Sequence, residues 1–585
     1  MREKILITIL GIHDGHNSGA TILQDGQIKY SISEERLTRK KNEIGYPKLS
    51  IEEVLKLADI DPKDIDIAVY ASNFMHSASY LENASEWYKA GKADFIKDSK
   101  REPSYLKAVF DQRRKERIEQ LSQHININKD KIRFQDHHLS HASAAYFGSP
   151  FDLNEETLIL TCDGAGDGLS ATVSIANGLE IKRISSTNRK ASVGKIYSRV
   201  TYMLGLKPWE HEYKVMGLAP YAENKFALEI KNILDELLKV SKDGFNFELG
   251  SEHESSYIYE FLREKFECKR FDAIAGGVQT FTEEILKTWV EGIIKETGIK
   301  RVVCGGGVFM NVKANKIISE IDGLEELFIF PSCGDESLSL GASWIEYSEL
   351  LKQKEELKQK KELKPLLSLN NLYLGGLCYE GNIEKIISKH INEEDDISIN
   401  KSENISRDCA EIIMNNHILA RCSGKMEWGA RALGNRSILA NPKDWSNVEK
   451  INSKIKKRDF WMPFAPSLLK EKASKYIVNP KNLFSPYMML AFDTTELAQS
   501  EICAAIHPRD KTARVQIVDK LMNPEYWELI NDFYKMSGIP CILNTSFNLH
   551  GYPLVYSLED AISVFKNSGL NYLVIESFIL KKIKS

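Results

Sequence analysis

The sequence predicts an α/β protein of two domains, the first of them internally duplicated, and three observations lead there. The chain opens on an apolar strand, a polar glycine-bearing turn, a second strand, Asp25-Gly26 and a third strand. A related order, strand, acidic glycine-rich loop and strand, returns from Thr157 to Ile175. Between Leu350 and Lys364, dense Lys, Glu and Gln read as an exposed helix or linker, and Pro365 ends it. The expected organisation is a first domain over residues 1–350, a charged linker over 351–368 and a second domain over 369–585.

Composition bounds the function. A chain of 585 residues can bury two full cores, and 43% hydrophobic with 27% charged residues is the profile of a globular protein. A net charge of -4 predicts no general affinity for nucleic acid or an anionic membrane. Nine scattered cysteines with no C-x-x-C pair indicate neither a zinc knuckle nor a disulfide framework, so reduced thiols and a cytoplasmic location are expected. The apolar run Ile5 to Ile12 is short and lacks a small-residue cleavage site, so it reads as a first strand rather than a signal peptide.

Taken in order, Ile5–Ile12, the turn His13–Gly19, Ala20–Leu23, Asp25-Gly26 and Ile28–Ile32 make an antiparallel meander. Actin-like, hexokinase-like ATPase folds start this way, with the first loop facing a nucleotide's phosphates. The charge run Glu34–Lys41 reads as a solvated face, and Ser50 to about Gln123 as largely helical. Next comes Asp136-His137-His138-Leu139-Ser140-His141, followed by small residues that favour a helix. On a helix His137 and His141 share a face and can hold one metal, while His138 points elsewhere. A helix start capped by Asp136, with histidines satisfied by carbonyls, is the competing reading. The acidic loops Asp163–Gly168 and Ser332–Glu336, each after an apolar run, favour the metal. Mixed imidazole and carboxylate ligands suit iron, manganese or zinc better than calcium or magnesium.

Farther on, Thr282–Thr297 has helical apolar periodicity and stops at Gly298. The strand Arg301–Cys304 runs into Gly305-Gly306-Gly307 and on to Asn311, glycines that let a backbone approach a phosphate or a flat base. In the second domain Ile418–Cys422 reads as a strand and Ser423–Ser437 as a glycine- and arginine-rich loop. From Arg421 to Arg458 ten Lys or Arg face three Asp or Glu. Arg431 and Arg436 are interleaved with Trp428, Leu433 and Ile438, which suggests a lined pocket for a phosphorylated small molecule.

His137–Ala145, Glu212–Tyr221, Gly305–Asn315, Gly429–Ser437 and Asn544–Asn548 resemble, in order and nearly end to end, the hallmark segments of the NodU/CmcH/TobZ family of O-carbamoyltransferases. The resemblance implies an actin-like (ASKHA, duplicated ribonuclease-H-like) N-terminal domain and a YrdC-like α/β C-terminal domain. It implies that the second domain makes carbamoyl adenylate from carbamoyl phosphate and ATP, used with magnesium, and that the first transfers the carbamoyl group to a hydroxyl of a sugar, antibiotic or other small acceptor. By the same resemblance His16 and Lys41 are catalytic, with a structural turn histidine as the alternative for His16. The metal, iron(II) first with manganese or zinc as alternatives, falls to His137, His141, Asp163 and Asp335. Gly305, Gly306, Gly307 and Asn311 receive the adenylate, and Arg431, Arg436, Lys456, Arg458, His507, Arg514, Ser546 and Asn548 receive carbamoyl phosphate and ATP. Three positions depart from the family pattern: Ala430 stands where Pro is common, Lys511 where Gly is common and Asn42 where His often follows the lysine. A homodimer is compatible with the sequence; the acceptor is not legible. The competing functions are an actin-like sugar kinase, which leaves the basic second domain unexplained, and a non-catalytic interaction protein.

Overall fold

The computed structural model describes residues 6–75, 103–356, 363–392 and 395–583 and falls into two compact units. One comprises Met1–Glu34 and Asn42–Leu369, the other Glu35–Lys41 and Asn370–Ser585. A short stretch near the start of the chain, carrying Lys41, therefore belongs with the second unit rather than the first.

The first unit uses one strand pattern twice. β1 (Thr8–His13), β2 (Gly19–Gln24) and β3 (Gln27–Ser33) form an antiparallel meander, and β4 (Ile67–Tyr70) and β5 (Ile132–Phe134) extend it in parallel, in the order β3-β2-β1-β4-β5. β6 (Thr157–Gly166), β7 (Leu169–Asn177) and β8 (Glu180–Asn188) repeat the meander. A small hairpin follows, β9 (Leu238–Val240) and β10 (Phe247–Leu249). β11 (Arg301–Gly305) and β12 (Glu326–Ile329) then add in parallel to give β8-β7-β6-β11-β12. Equal order and equal directions in both sheets are the duplicated ribonuclease-H-like, actin-like arrangement.

Each repeat ends on a helix that packs on the other repeat's sheet. β5 leads into the helix His137–Phe147, which lies against β6 and β11. β12 leads through the tight turn Asp335–Ser337 into the helix Leu338–Glu356, which lies against β1 and β2. The two helices also touch each other. A Cβ on Gly341 would sit 1.8 Å from the Ser140 carbonyl oxygen, and Ser143 Oγ donates to the Gly341 carbonyl at 3.0 Å.

Two expectations for the N-terminal region need correction. The stretch from Ser50 is not continuously helical: a helix at Lys48–Ala58 gives way to β4, and a helix resumes at Pro103–Ile125, with residues 76–102 outside the described part. Ile67-Ala68-Val69-Tyr70 is buried on both faces, so it lacks the alternation that marks a half-exposed strand. Nor is Glu34–Lys41 a solvated face. The Glu34 carboxylate accepts from the Leu49 and Ser50 backbone amides at 3.0 and 2.7 Å. Within the second unit, buried Arg36 donates to the Gly429 carbonyl at 2.7 Å, and Arg39 to the carbonyls of Pro553 and Leu554. The charges cap and bind backbone, which a charge count does not reveal.

The second unit is mixed α/β. Its main sheet has eight strands, at Ile397–Lys401, Phe578–Lys582, Tyr572–Ile575, Leu419–Cys422, Arg436–Ala440, Cys541–Ser546, Ala465–Leu469 and Gln516–Val518 in spatial order. A smaller sheet carries Thr512–Arg514 at its edge. No helix among the described residues is long and apolar enough to cross a membrane.

The helix crossing is the most sensitive point of the first unit. Gly341→Val should destabilise it by at least about 1–3 kcal/mol, the usual cost of overpacking, because the neighbour in contact is backbone. Urea denaturation of the full chain checks this, and an unchanged midpoint would contradict the crossing.

Candidate functional site

The helix His137–Phe147 begins where Asp136 caps it, its carboxylate accepting from the Leu139 amide at 2.7 Å. His137 and His141 then stand one turn apart on one face, ring centroids 4.8 Å apart. His138 turns away and meets Thr161 Oγ1 through Nδ1 at 2.8 Å. Asp163 arrives from the end of β6 and Asp335 from the turn after β12. His137 Nε2 lies 3.5 Å from Asp163 and 3.8 Å from Asp335, and His141 Nε2 lies 3.6 Å from Asp335. One ligand atom from each of the four lies within 4.8 Å of the others. The Nε2 atoms of His137 and His141 are buried without hydrogen-bond partners. Two unpartnered imidazole nitrogens aimed at two carboxylates fit a divalent cation, and these four residues are the ones the sequence grouped.

The surroundings fix these ligands. Ser337 Oγ pairs with His141 Nδ1 at 3.1 Å, leaving Nε2 for the cluster, and the Gly307 amide donates to Asp163 at 3.1 Å. Asp167 accepts from the His137 amide at 2.9 Å and from Ser72 Oγ at 2.7 Å. Burial opposes a charge on His137, yet Asp163 and then Asp335 hold its pKa up at about 9. Burial and the Asp163 carboxylate oppose the charge of Asp335, but His141, His137 and His13 outweigh them and keep it below the usual carboxylate range. His13 stands 3.7 Å from Asp335, and burial pushes its own pKa down to about 4.

The triple glycine, expected to meet an adenylate, packs first against the cluster. A Cβ on Gly305 would lie 2.8 Å from the His141 carbonyl, and one on Gly306, whose φ is +96°, 2.4 Å from the Cys162 carbonyl. Asn311 caps the helix Val312–Ser319 and exchanges amide hydrogen bonds with Gln279 at 2.9 and 3.0 Å. His16 lies in the first loop, 5.4 Å edge-on from Trp209, and its carbonyl accepts from His13 Nε2 at 2.9 Å. Asn42 donates to the Trp209 carbonyl at 3.3 Å. Lys195, which the sequence did not single out, projects beside Asp163 and Asp335, and burial pushes its pKa down to about 8.

The second unit gathers cations. Lys456 ends a π-helical turn, Asn452–Lys456, a local distortion that recurs at functional sites. Its ammonium donates to Ser546 Oγ at 3.1 Å, to the Asn548 carbonyl at 3.0 Å and to Asn548 Oδ1, so three expected site residues form one network. Burial, then Arg458 and Lys41, push Lys456 well below the ordinary lysine range. Burial, then Arg431 and Arg458, push Arg514 down likewise. Arg458 and Lys41 thus oppose the charge of buried Lys456, and Arg431 and Arg458 oppose that of half-buried Arg514. Arg458 also lies over the Phe464 ring at 5.2 Å. His507 shapes the turn before Arg514, its Nδ1 accepting from the Arg509 amide at 3.2 Å. Lys511 holds φ at +58°, a conformation that suits the glycine common there, and its ammonium reaches the Pro508 carbonyl at 2.8 Å.

Comparison with known proteins now decides the family. The model "Carbamoyltransferase N-terminus" matches residues 8–344, and "Carbamoyltransferase C-terminus" matches 410–582. The chain belongs to the carbamoyltransferase family. It is 34% identical to an uncharacterized protein of Methanocaldococcus jannaschii over 98% of this chain and 100% of the relative. It is 30% identical to nodulation protein NolNO of Sinorhizobium fredii, over 97% of this chain and 79% of the relative. With the 3'-hydroxymethylcephem-O-carbamoyltransferase of Amycolatopsis lactamdurans it shares 23% over 62% and 63% of the two chains. Among solved structures, HypF of T. kodakarensis aligns with a TM-score of 0.36 at 12% identity, covering 60% of this chain and 48% of HypF. The fold assignment rests on the strand orders rather than on that score.

Within this carbamoyltransferase one expected anion ligand takes a different role. Arg436 is fully buried, and its guanidinium donates to the carbonyls of Ser423, Gly424 and Asn435 at 3.0–3.2 Å. It holds the loop that carries Arg431. Arg436→Ala should therefore destabilise the protein by at least about 2–3 kcal/mol, since several buried carbonyls lose their donor at about 1 kcal/mol or more each. Urea denaturation reads this directly, and unaltered stability with weakened phosphate binding would restore the ligand role.

Proposed function

We propose that this carbamoyltransferase is an ATP-dependent O-carbamoyltransferase, which forms carbamoyl adenylate from carbamoyl phosphate and ATP, with loss of inorganic phosphate and pyrophosphate, and passes the carbamoyl group to a hydroxyl. The observation that carries this reading is the cation group Lys41, Arg431, Lys456, Arg458 and Arg514, in which Lys456 is buried and the other four are half-buried. Burial and neighbouring cations push Lys456 and Arg514 down, anions relieve that repulsion, and two polyanionic substrates supply them. A sugar kinase built on the first unit would have no use for this second cationic site.

In the first unit the ligands fall to His137, His141, Asp163 and Asp335. A divalent cation there would supply positive charge to the adenylate phosphate and polarise the carbamoyl carbonyl. Ser337 orients the His141 imidazole, Asp167 holds the His137 backbone amide, and the Gly307 amide orients Asp163. His16 is the base that takes the acceptor's proton. Incubating the purified protein with ATP and carbamoyl phosphate tests the reading: pyrophosphate is expected, whereas ADP would indicate a kinase and no turnover a binding protein.

Cation binding has a pH signature. His137 keeps its proton up to about pH 9, so below that a cation must displace it. Affinity should rise about tenfold per pH unit through neutrality and level off above about pH 9, with about one proton released per cation. Calorimetric titration in buffers of different ionisation enthalpy measures that release, and a pH-independent affinity would place the cation elsewhere.

The two half-reactions should separate by variant. His137→Ala is expected to keep pyrophosphate release and lose carbamoylation of the acceptor. Arg431→Ala is expected to lose pyrophosphate release, yet to transfer the carbamoyl group from supplied carbamoyl adenylate. A folded Arg431→Ala protein that transfers nothing from the supplied adenylate would mean that one site performs both steps.

A further inference from the structure

Lys195 stands beside the four-ligand cluster, and the chemistry derived above does not use it. It lies in the first turn of the helix Val193–Met203, where Ser192 caps the helix by accepting from the Lys195 amide at 3.1 Å. Ser192 Oγ also donates to the Gly164 carbonyl at 2.8 Å, so the helix start rests on the acidic loop. Gly194 permits that approach, since a Cβ there would meet Gly164 N and the Asp163 backbone at 3.0–3.1 Å. The lysine side chain runs along Gly164, where a Cβ would lie 3.9 Å from Nζ. Trp209 lies over it, ring centroid 5.6 Å from Nζ, and the same indole meets His16 edge-on. Trp209 holds φ at +65°, a conformation that costs a bulky residue energy and recurs where a side chain is held for a purpose. One indole thus contacts both a cation and a histidine.

Charge says what the cation faces. Asp163 and Asp335 are the acids that act on Lys195, and both are committed to the cluster. A divalent cation there would cancel their two charges and leave Lys195, with Arg199 and Arg189 behind it, in a positive field. The start of a helix adds to that field. We infer that Lys195 seats the phosphate of the nucleotide at the cluster and stabilises it as the leaving group. This rests on the carbamoyl-adenylate reading. In the transfer step the acceptor oxygen attacks the carbamoyl carbon, the bond from that carbon to the adenylate phosphate oxygen breaks, and AMP leaves with the electron pair. The hydroxyl proton passes to His16. The charge gained by the AMP phosphate develops beside the Lys195 ammonium.

The test compares AMP with adenosine, binding each by calorimetry to the full-length chain with a divalent cation present. An Arg431→Ala background removes the anion pocket of the second unit from the measurement. Lys195→Met should weaken AMP binding about 10- to 100-fold, the range for one charge-assisted hydrogen bond, and leave adenosine binding unchanged. Lys195→Arg should keep most of the preference for AMP. Equal AMP affinity in Lys195→Met and its parent overturns the inference, as does an equal loss of AMP and adenosine, which would show a packing role. If the wild-type protein releases no pyrophosphate from ATP and carbamoyl phosphate, the adenylate reading falls by itself, and the AMP comparison still decides what Lys195 holds.

Discussion

The first unit depends on one close contact, the crossing of the helices His137–Phe147 and Leu338–Glu356 at Ser140 and Gly341. Each helix closes one repeat and packs on the sheet of the other, so the crossing ties the two sheets into one body. It also decides what the cluster contains. His137 and His141 are carried to the second sheet, where β6 bears Asp163, and the turn at Asp335 is carried to the first sheet, where β1 ends at His13. A duplicated fold with exchanged terminal helices brings the ends of both halves to one place, and no local sequence pattern could do that alone.

The two units solve opposite electrostatic problems. In the first, carboxylates and imidazoles meet with two imidazole nitrogens unpartnered, a geometry that a cation completes. In the second, Lys456 and Arg514 are each opposed by burial and by neighbouring cations, an arrangement that anions would relieve. The first arrangement is costly for a protein that binds nothing there, because buried polar atoms without partners are expensive. Arg436 marks the contrast, since its guanidinium is answered by backbone carbonyls.

The segment Glu35–Lys41 links the two parts of the sequence. It is encoded inside the first repeat, immediately after β3, yet it belongs to the second unit. There Arg36 and Arg39 are anchored on backbone carbonyls, and Lys41 joins the cation group around Lys456. Read as a string of charges, it looked like solvated surface. Its anchoring partners, Gly429, Pro553 and Leu554, lie hundreds of residues away in sequence, so only the folded chain identifies them.

Local signals carried much of this protein. The His-x-x-x-His spacing with an Asp cap set the helix and its metal face, because helix periodicity is a short-range property. The repeated meander announced the duplicated sheet, and the arginine- and lysine-rich stretch after Arg421 announced the gathering of cations in the second unit, since residue type alone fixes charge. The tertiary structure decided what depends on contacts between distant segments. It alone showed β4, whose buried faces hide the alternation of a strand, and the use of the triple glycine for close packing against His141 and Cys162. It also placed Lys195 between an acidic loop and Trp209, a position that no local pattern marks. Those positions are set by packing between segments far apart in the chain, and a sequence read locally holds no record of such distances.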